Sequence, residues 1–160
     1  MTHPFMTVTE QLQRDEGLRL DPYPDVSARP NRDALLSLWE AFVQAGGTVA
    51  IGYGRNLSRR SISLGEARTL LEHDVQAVTA EVLAELPWSA RLIEPRRGVL
   101  VNMAYNLGLK GLKTFSMMLA AAERGDWVTA AAEMRDSRWA GQVGSRSERL
   151  ATQMEIGAWQ

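Results

Sequence analysis

Residues 63–86, "SLGEARTLLEHDVQAVTAEVLAEL", constrain this 160-residue chain more than any other stretch. Ser63-x-x-Glu66 is a capping-box pattern, and it opens a periodic run. Leu64, Ala67, Leu71, Val75, Val78, Val82 and Leu86 recur on one side, and Pro87 stops the run. A helix of this length rises roughly 30 Å, long for a small domain and suited to connecting two lobes. The expected organisation is therefore one domain spanning 1–160. It has an N-terminal lobe over 1–62, a connecting helix over 63–86 and a helical lobe over 87–160.

Local signals fill in both sides. Thr7-x-x-Glu10 is a second capping box, and Gly17 is placed to end the helix it starts. "LRLDPYPDVSARP" carries three prolines among Asp and Ser residues and reads as turns. In "RDALLSLWEAFVQAGG", Leu35, Leu38, Trp39 and Phe42 follow a helical period. A helix is expected at about 33–45, capped by Asp33 and ended by Gly46, with its apolar stripe packed on the N-terminal lobe. A strand over 48–53 follows. After Pro87, helices are expected at 96–107 up to Gly108 and in "TFSMMLAAAER" up to Gly125. Two more are expected after Asp126 and after Ser145. The fold class is α+β, mostly α.

Composition excludes several chemistries. With no cysteine, disulfides and thiolate nucleophiles are absent, and His3 and His73 have no second metal-ligand pattern near them. No cofactor is implied. No run of eighteen apolar residues exists, and the first residues lack the pattern of an export signal. No dense basic block marks a nucleic-acid footprint. No nucleic-acid or membrane partner is expected.

Two carboxylates remain as the leading chemistry. Glu16 closes the first helix just before Gly17, and Asp25 lies nine positions later in the turn region. A helix end and a following turn can set both at one cleft edge. Glycoside hydrolysis needs such a pair: one protonated carboxyl donates to the leaving oxygen, and one carboxylate acts as base, nucleophile or stabiliser.

The wider pattern is more specific. "RDEGLRLDPYPD", "IGYGRNL", "EARTLLEHDV", "VNMAYNLG", "SRW" and "RSER" occur in this order. From about Thr7 to Trp159 the chain resembles the phage-type lysozymes, the endolysins of glycoside hydrolase family 24. The resemblance implies a lysozyme-like two-lobe fold with a β-hairpin in the small lobe. It implies Glu16 as general acid, Asp25 as the catalytic aspartate, and Tyr105 and Asn106 lining the sugar cleft. Arg146 would pair with Glu16, and Asp15 with Arg149. Arg55 stands where many members have His, and Asp74 is its expected partner. Tyr105 also reads as plain core, and Arg146 as a solvated helix-start residue. Trp127, Trp139 and Trp159 read as core rather than as platforms for substrate.

One position departs from the family. Ala50 stands directly before "IG", where the family has a catalytic threonine, and 24 residues separate it from Asp25. The family usually has about five residues there, and the excess is an insertion at about 27–47, read as a helix packed on the N-terminal lobe or as a lid or wall of the cleft. Thr48 lies two positions before Ala50, on the same face of a regular strand, and is the displaced candidate for the third catalytic residue. Ser27 and Ser37 are others.

The implied function is an endolysin, a muramidase hydrolysing the β-1,4 bond between MurNAc and GlcNAc in peptidoglycan during host lysis. Its partner is the glycan strand, and a monomer is expected. It would collect in the host cytoplasm and reach the periplasmic wall after membrane permeabilisation. A lytic transglycosylase on the same fold, or a non-catalytic wall-binding relative, stays open beside it.

Overall fold

A computed structural model describes residues 7–24 and 31–160. The chain divides into two compact units. One takes the chain up to Gly17 together with Leu71–Gln160, and the other is Leu18–Leu70. The α+β, mostly α class holds: eight α-helices and one two-stranded antiparallel hairpin are present among the described residues.

The helical unit begins with α1 (Val8–Glu16). Its capping box is formed: the Glu10 N–H donates to Thr7 Oγ1 at 3.2 Å and the Thr7 N–H donates to Glu10 Oε2 at 2.7 Å. Gly17 ends it at φ 72°, ψ −178°, a conformation open almost only to glycine. α3 (Leu64–Glu85) buries Val75 and Val82, and a 3-10 turn follows at Pro87–Arg91. α4 (Glu94–Lys113) is interrupted at Gly108, so the ending expected there is a break followed by one more turn. α5 (Ser116–Glu123), α6 (Trp127–Arg135), α7 (Arg138–Val143) and α8 (Ser145–Ile156) complete the unit.

α1 packs on α4, and α4 on α8. The first helix therefore belongs with the helical unit, where the sequence had placed it with residues 1–62. The main core joins Leu100, Met103, Leu112, Met118, Met134, Leu150 and Met154, all buried. Four methionines there supply unbranched side chains that fill irregular gaps. A second cluster of Leu12, Val75 and Val101 seats α1. Asp126 caps α6 through the Thr129 N–H at 3.1 Å. Ser145 is not a cap; it is the first residue of α8, and its hydroxyl accepts from Arg149 instead. Trp139 is buried, Trp127 packs on the main core under Arg96, and the Trp159 ring fills the space that a side chain on Gly98 would need.

In the smaller unit, α2 spans Arg32–Gln44. Asp33 falls in its first turn rather than at the cap. Its C-terminus closes in a Schellman motif: the Gly47 N–H donates to the Phe42 carbonyl at 2.8 Å and the Gly46 N–H to that of Val43 at 3.0 Å, with Gly46 at φ 79°. The expected burial of its apolar stripe does not occur. No residue of α2 is buried, and Leu38, Phe42 and Val43 are 66%, 41% and 52% exposed. Trp39 and Phe42 pack on each other, ring centroids 5.7 Å apart.

The strand expected at 48–53 shortens to β1 (Ala50–Ile51), paired with β2 (Arg55–Asn56) in the register Ala50↔Asn56 and Ile51↔Arg55. Gly52, Tyr53 and Gly54 make the turn. The Ser63–Glu66 box starts α3 as expected: the Ser63 N–H donates to Glu66 Oε2 at 2.8 Å, and the Glu66 N–H to Ser63 Oγ at 3.2 Å.

Candidate active site

The last turn of α1 sends its two acids to different surroundings. Asp15 lies one turn beyond Gln11, on the face that α1 buries, and its side chain is 1% exposed. Glu16, at the helix end, keeps its side chain 38% exposed.

Arg146, near the start of α8, joins them. Its Nη1 donates to Glu16 Oε1 at 2.8 Å, and its Nε and Nη2 donate to Asn102 Oδ1 at 3.0 and 2.8 Å. Its Nε also lies 3.6 Å from Asp15 Oδ2. A cation in the first turn of a helix opposes the helix dipole. Two carboxylates offset that cost. The solvated-residue reading of Arg146 is thus replaced by a buried, paired one.

Asp15 has a second arginine. Arg149 Nη2 donates to its Oδ1 at 2.6 Å, one turn further along α8. Arg14 Nε adds a third charged contact at 3.2 Å. Two buried or half-buried arginines therefore face two carboxylates, and no charge in the cluster is left without an opposite.

Beneath the ion pairs lies a chain of buried amides. Asn102 Nδ2 donates to Gln11 Oε1 at 3.1 Å and to Asp15 Oδ2 at 3.3 Å. Gln11 Nε2 donates to Gln153 Oε1 at 2.6 Å, and Gln153 Nε2 to the Pro95 carbonyl at 2.8 Å. The orientation of Asn102 follows from its neighbours: guanidinium only donates, so the oxygen must face Arg146 and the NH2 the two acceptors. Arg146 is held from below by α4 while it holds Glu16 from the side.

The other expected residues fall as follows. Tyr105 is half-buried against the Leu12–Val75–Val101 cluster. Asn106 is exposed, and its Oδ1 accepts from the Trp139 indole at 2.9 Å. Thr48 is exposed in the smaller unit, ahead of β1 rather than within it. Ala50 is the first residue of β1. Asp25 and Ser27 lie outside the described residues. Ser37 is exposed on α2, and its hydroxyl donates to the Asp33 carbonyl. Arg55 pairs with Glu66 in the first turn of α3, not with Asp74 two turns further on. Among the described residues no group of acids and histidines is placed to hold a metal ion.

A partly exposed carboxyl at a helix end, fixed by a buried cation, is a group that can exchange a proton with a bound molecule. The family model of phage lysozyme matches residues 13–153, which include Asp15, Glu16, Asn102, Arg146 and Arg149. The chain belongs to the phage lysozyme family. That family consists of glycoside hydrolases acting on the bacterial cell wall. Two relatives in Dictyostelium discoideum, described as probable T4-type lysozymes 1 and 2, are 26% and 24% identical over 94% of this chain and 95% of their own length. The pre-baseplate central spike protein Gp5 of Enterobacteria phage T4 is 32% identical over 92% of this chain. The chain spans about a quarter of that protein's length, 27%.

Sequence reading missed three residues of the network beneath the Glu16–Arg146 pair: Gln11, Asn102 and Gln153. A weak signal existed for Asn102, a lone amide inside the apolar run "GVLVNMA". Such a residue must find partners when buried. Gln11 lies four positions before Asp15 and so shares its face. Neither signal names the partner.

Proposed function

We propose that this phage lysozyme hydrolyses the β-1,4 bond between MurNAc and GlcNAc in peptidoglycan, with Glu16 as the general acid. The observation that carries this reading is the Glu16–Arg146 contact at 2.8 Å, anchored on buried Asn102. A general acid must be held in one pose against the leaving oxygen, and an anchored arginine provides that pose. Asp25 is the second carboxylate, acting as base or as stabiliser of the oxocarbenium-like state. Thr48 holds the attacking water in place of the family threonine lost at Ala50. Tyr105 and Asn106 bind the strand, Arg146, buried between Glu16 and Asn102, poses the acid instead of touching the strand, and the reaction needs no cofactor. The protein acts as a monomer.

The biological setting follows from the same reading. As an endolysin, the protein collects in the host cytoplasm and degrades the periplasmic wall once the membrane is permeabilised. The 32% identity to a phage spike protein favours a second setting, in which the same chemistry opens the wall from a phage particle.

The test is release of reducing ends from purified peptidoglycan by wild type and Glu16→Gln. Loss of about 100-fold or more in the variant is expected for a removed general acid. Equal rates would remove Glu16 from the mechanism. Anhydro-muramic ends in place of reducing ends would assign the transglycosylase reaction instead.

A further inference from the structure

The β-hairpin of the smaller unit carries a pocket of about 650 Å³ with no use in the reaction described above. Ile51, Tyr53, Arg55, Asn56, Arg59 and Arg60 line it, and no acidic residue does. Its three arginines are not equivalent. Arg55 is committed to the protein: it pairs with Glu66, and its Nη2 donates to the Ser61 carbonyl at 2.6 Å. Arg59 and Arg60 are exposed and in no salt bridge among the described residues. Their backbone is nonetheless held. The Arg59 N–H donates to Asn56 Oδ1 at 3.1 Å and the Arg60 N–H to the Asn56 carbonyl at 2.9 Å. Tyr53 stands fully exposed at the turn.

Two neighbouring arginines on a fixed turn, beside an exposed aromatic ring and in no salt bridge among the described residues, make a receptor for an anion with some apolar character. Arginine forks match carboxylate and phosphate alike. The occupant follows from the muramidase reading, on which this inference rests. Where a stem is attached, the lactyl carboxyl of MurNAc is tied up as an amide, so the free carboxylates of a stem-bearing strand belong to the peptide stems. The geometry points to Arg59 and Arg60 binding a carboxylate of the peptidoglycan peptide stem at the hairpin pocket, so that stem-bearing strands are preferred over bare glycan.

The experiment compares wild type with the Arg59→Gln/Arg60→Gln double variant on two soluble substrates. One is glycan strands with their stems, and the other is the same strands after amidase removal of the stems and methylamidation of the lactyl carboxyls that this frees. The expected result is a rise in KM of about five-fold on stem-bearing strands, the scale of one partly exposed charged pair, with kcat and the bare-glycan KM unchanged. Arg59→Lys/Arg60→Lys restores most of the loss, because the charge remains. Equal change on both substrates, or none on either, overturns the inference.

A binding arm is independent of catalysis. In a Glu16→Gln background, disaccharide-tetrapeptide is titrated against the Tyr53 ring resonances. Shifts that vanish in the double variant support the site. Equal shifts with the disaccharide whose lactyl carboxyl is methylamidated, or with inorganic phosphate at the same concentration, overturn it. If wild type releases no more ends than Glu16→Gln, the muramidase reading fails, and this titration still decides the pocket.

Discussion

Arg146 and Asn102 meet at a single oxygen: both Nε and Nη2 of the arginine donate to Asn102 Oδ1, at 3.0 and 2.8 Å. That shared acceptor ties α8 to α4 and leaves Nη1 free to hold Glu16. Positioning of the proposed acid therefore depends on a residue that does not touch it.

Asn102→Ala removes the acceptor for two guanidinium donors and the donor to Gln11. Each buried group left unpaired costs about 1–3 kcal/mol. The expected loss is about 3 kcal/mol in urea unfolding, with a fall in kcat that exceeds any change in KM. A variant that stays as stable as wild type would show that water replaces the amide.

Thr48 is proposed to hold the attacking water, so its hydroxyl and not its methyl group matters. Thr48→Ala should lower kcat about ten-fold, the scale of one hydrogen bond made in the transition state, while Thr48→Ser keeps most of the rate. Thermal midpoints should not move, because the side chain is exposed. An unchanged rate in Thr48→Ala would remove this residue from the mechanism.

Helix boundaries were legible where the signal is local. Both capping boxes, at Thr7 and Ser63, act within four residues, and both are formed. Gly46 likewise ends α2 as read, because a left-handed residue is needed next to the last turn. Pairings between α1 and α8 came only through the family pattern, since residues 130 and 134 positions apart have no spacing rule. The amide chain under them was not legible: Gln11 and Gln153 are 142 positions apart, and a glutamine carries no sign of its partner. The hairpin was read too long, because Thr, Val and Tyr favour extended backbone whether or not a partner strand is present. Burial of α2 was misread for a related reason. An amphipathic period shows that a helix has an apolar side, not that the fold supplies a surface for it.

That distinction separates two leucines. Leu38 on α2 is 66% exposed, and Leu12 on α1 is fully buried. Leu38→Ser is expected to shift stability by no more than about 0.5 kcal/mol, and Leu12→Ala to cost about 2–5 kcal/mol by opening a cavity under α1. Paired denaturation curves measure both. A large loss at Leu38 would mean that α2 is covered in solution.

Gly98 is a packing residue. A Cβ there would lie 2.5 Å from the Trp159 ring, closer than any real contact. Gly98→Ala must displace the indole, at a cost of about 1–3 kcal/mol for an overpacked site. The Trp159 environment should become wetter, read as a red shift in fluorescence with Trp159→Phe as the reference. A variant with native stability and spectrum would show that the C-terminal residues can move aside freely.

Glu66 sets the acid response of the smaller unit. The Ser63 N–H donates to its carboxylate, Arg55 pairs with it and the Ser63 hydroxyl adds a third donor. These contacts, the backbone one foremost, lower its pKa from 4.5 to about 2. A carboxylate whose folded pKa is depressed binds its proton more readily when unfolded. Its contribution to stability is therefore complete above pH 4.5 and falls away as the pH drops through about 2. Carboxyl-carbon NMR of Glu66 should report a midpoint near the lower value, and Glu66→Gln should flatten the stability profile across that window. Arg55→Ala tests the order of causes. The Ser63 backbone and hydroxyl donors survive it, so the Glu66 midpoint should rise only part of the way towards 4.5. A full return to 4.5 would place the arginine, and not the cap, in control.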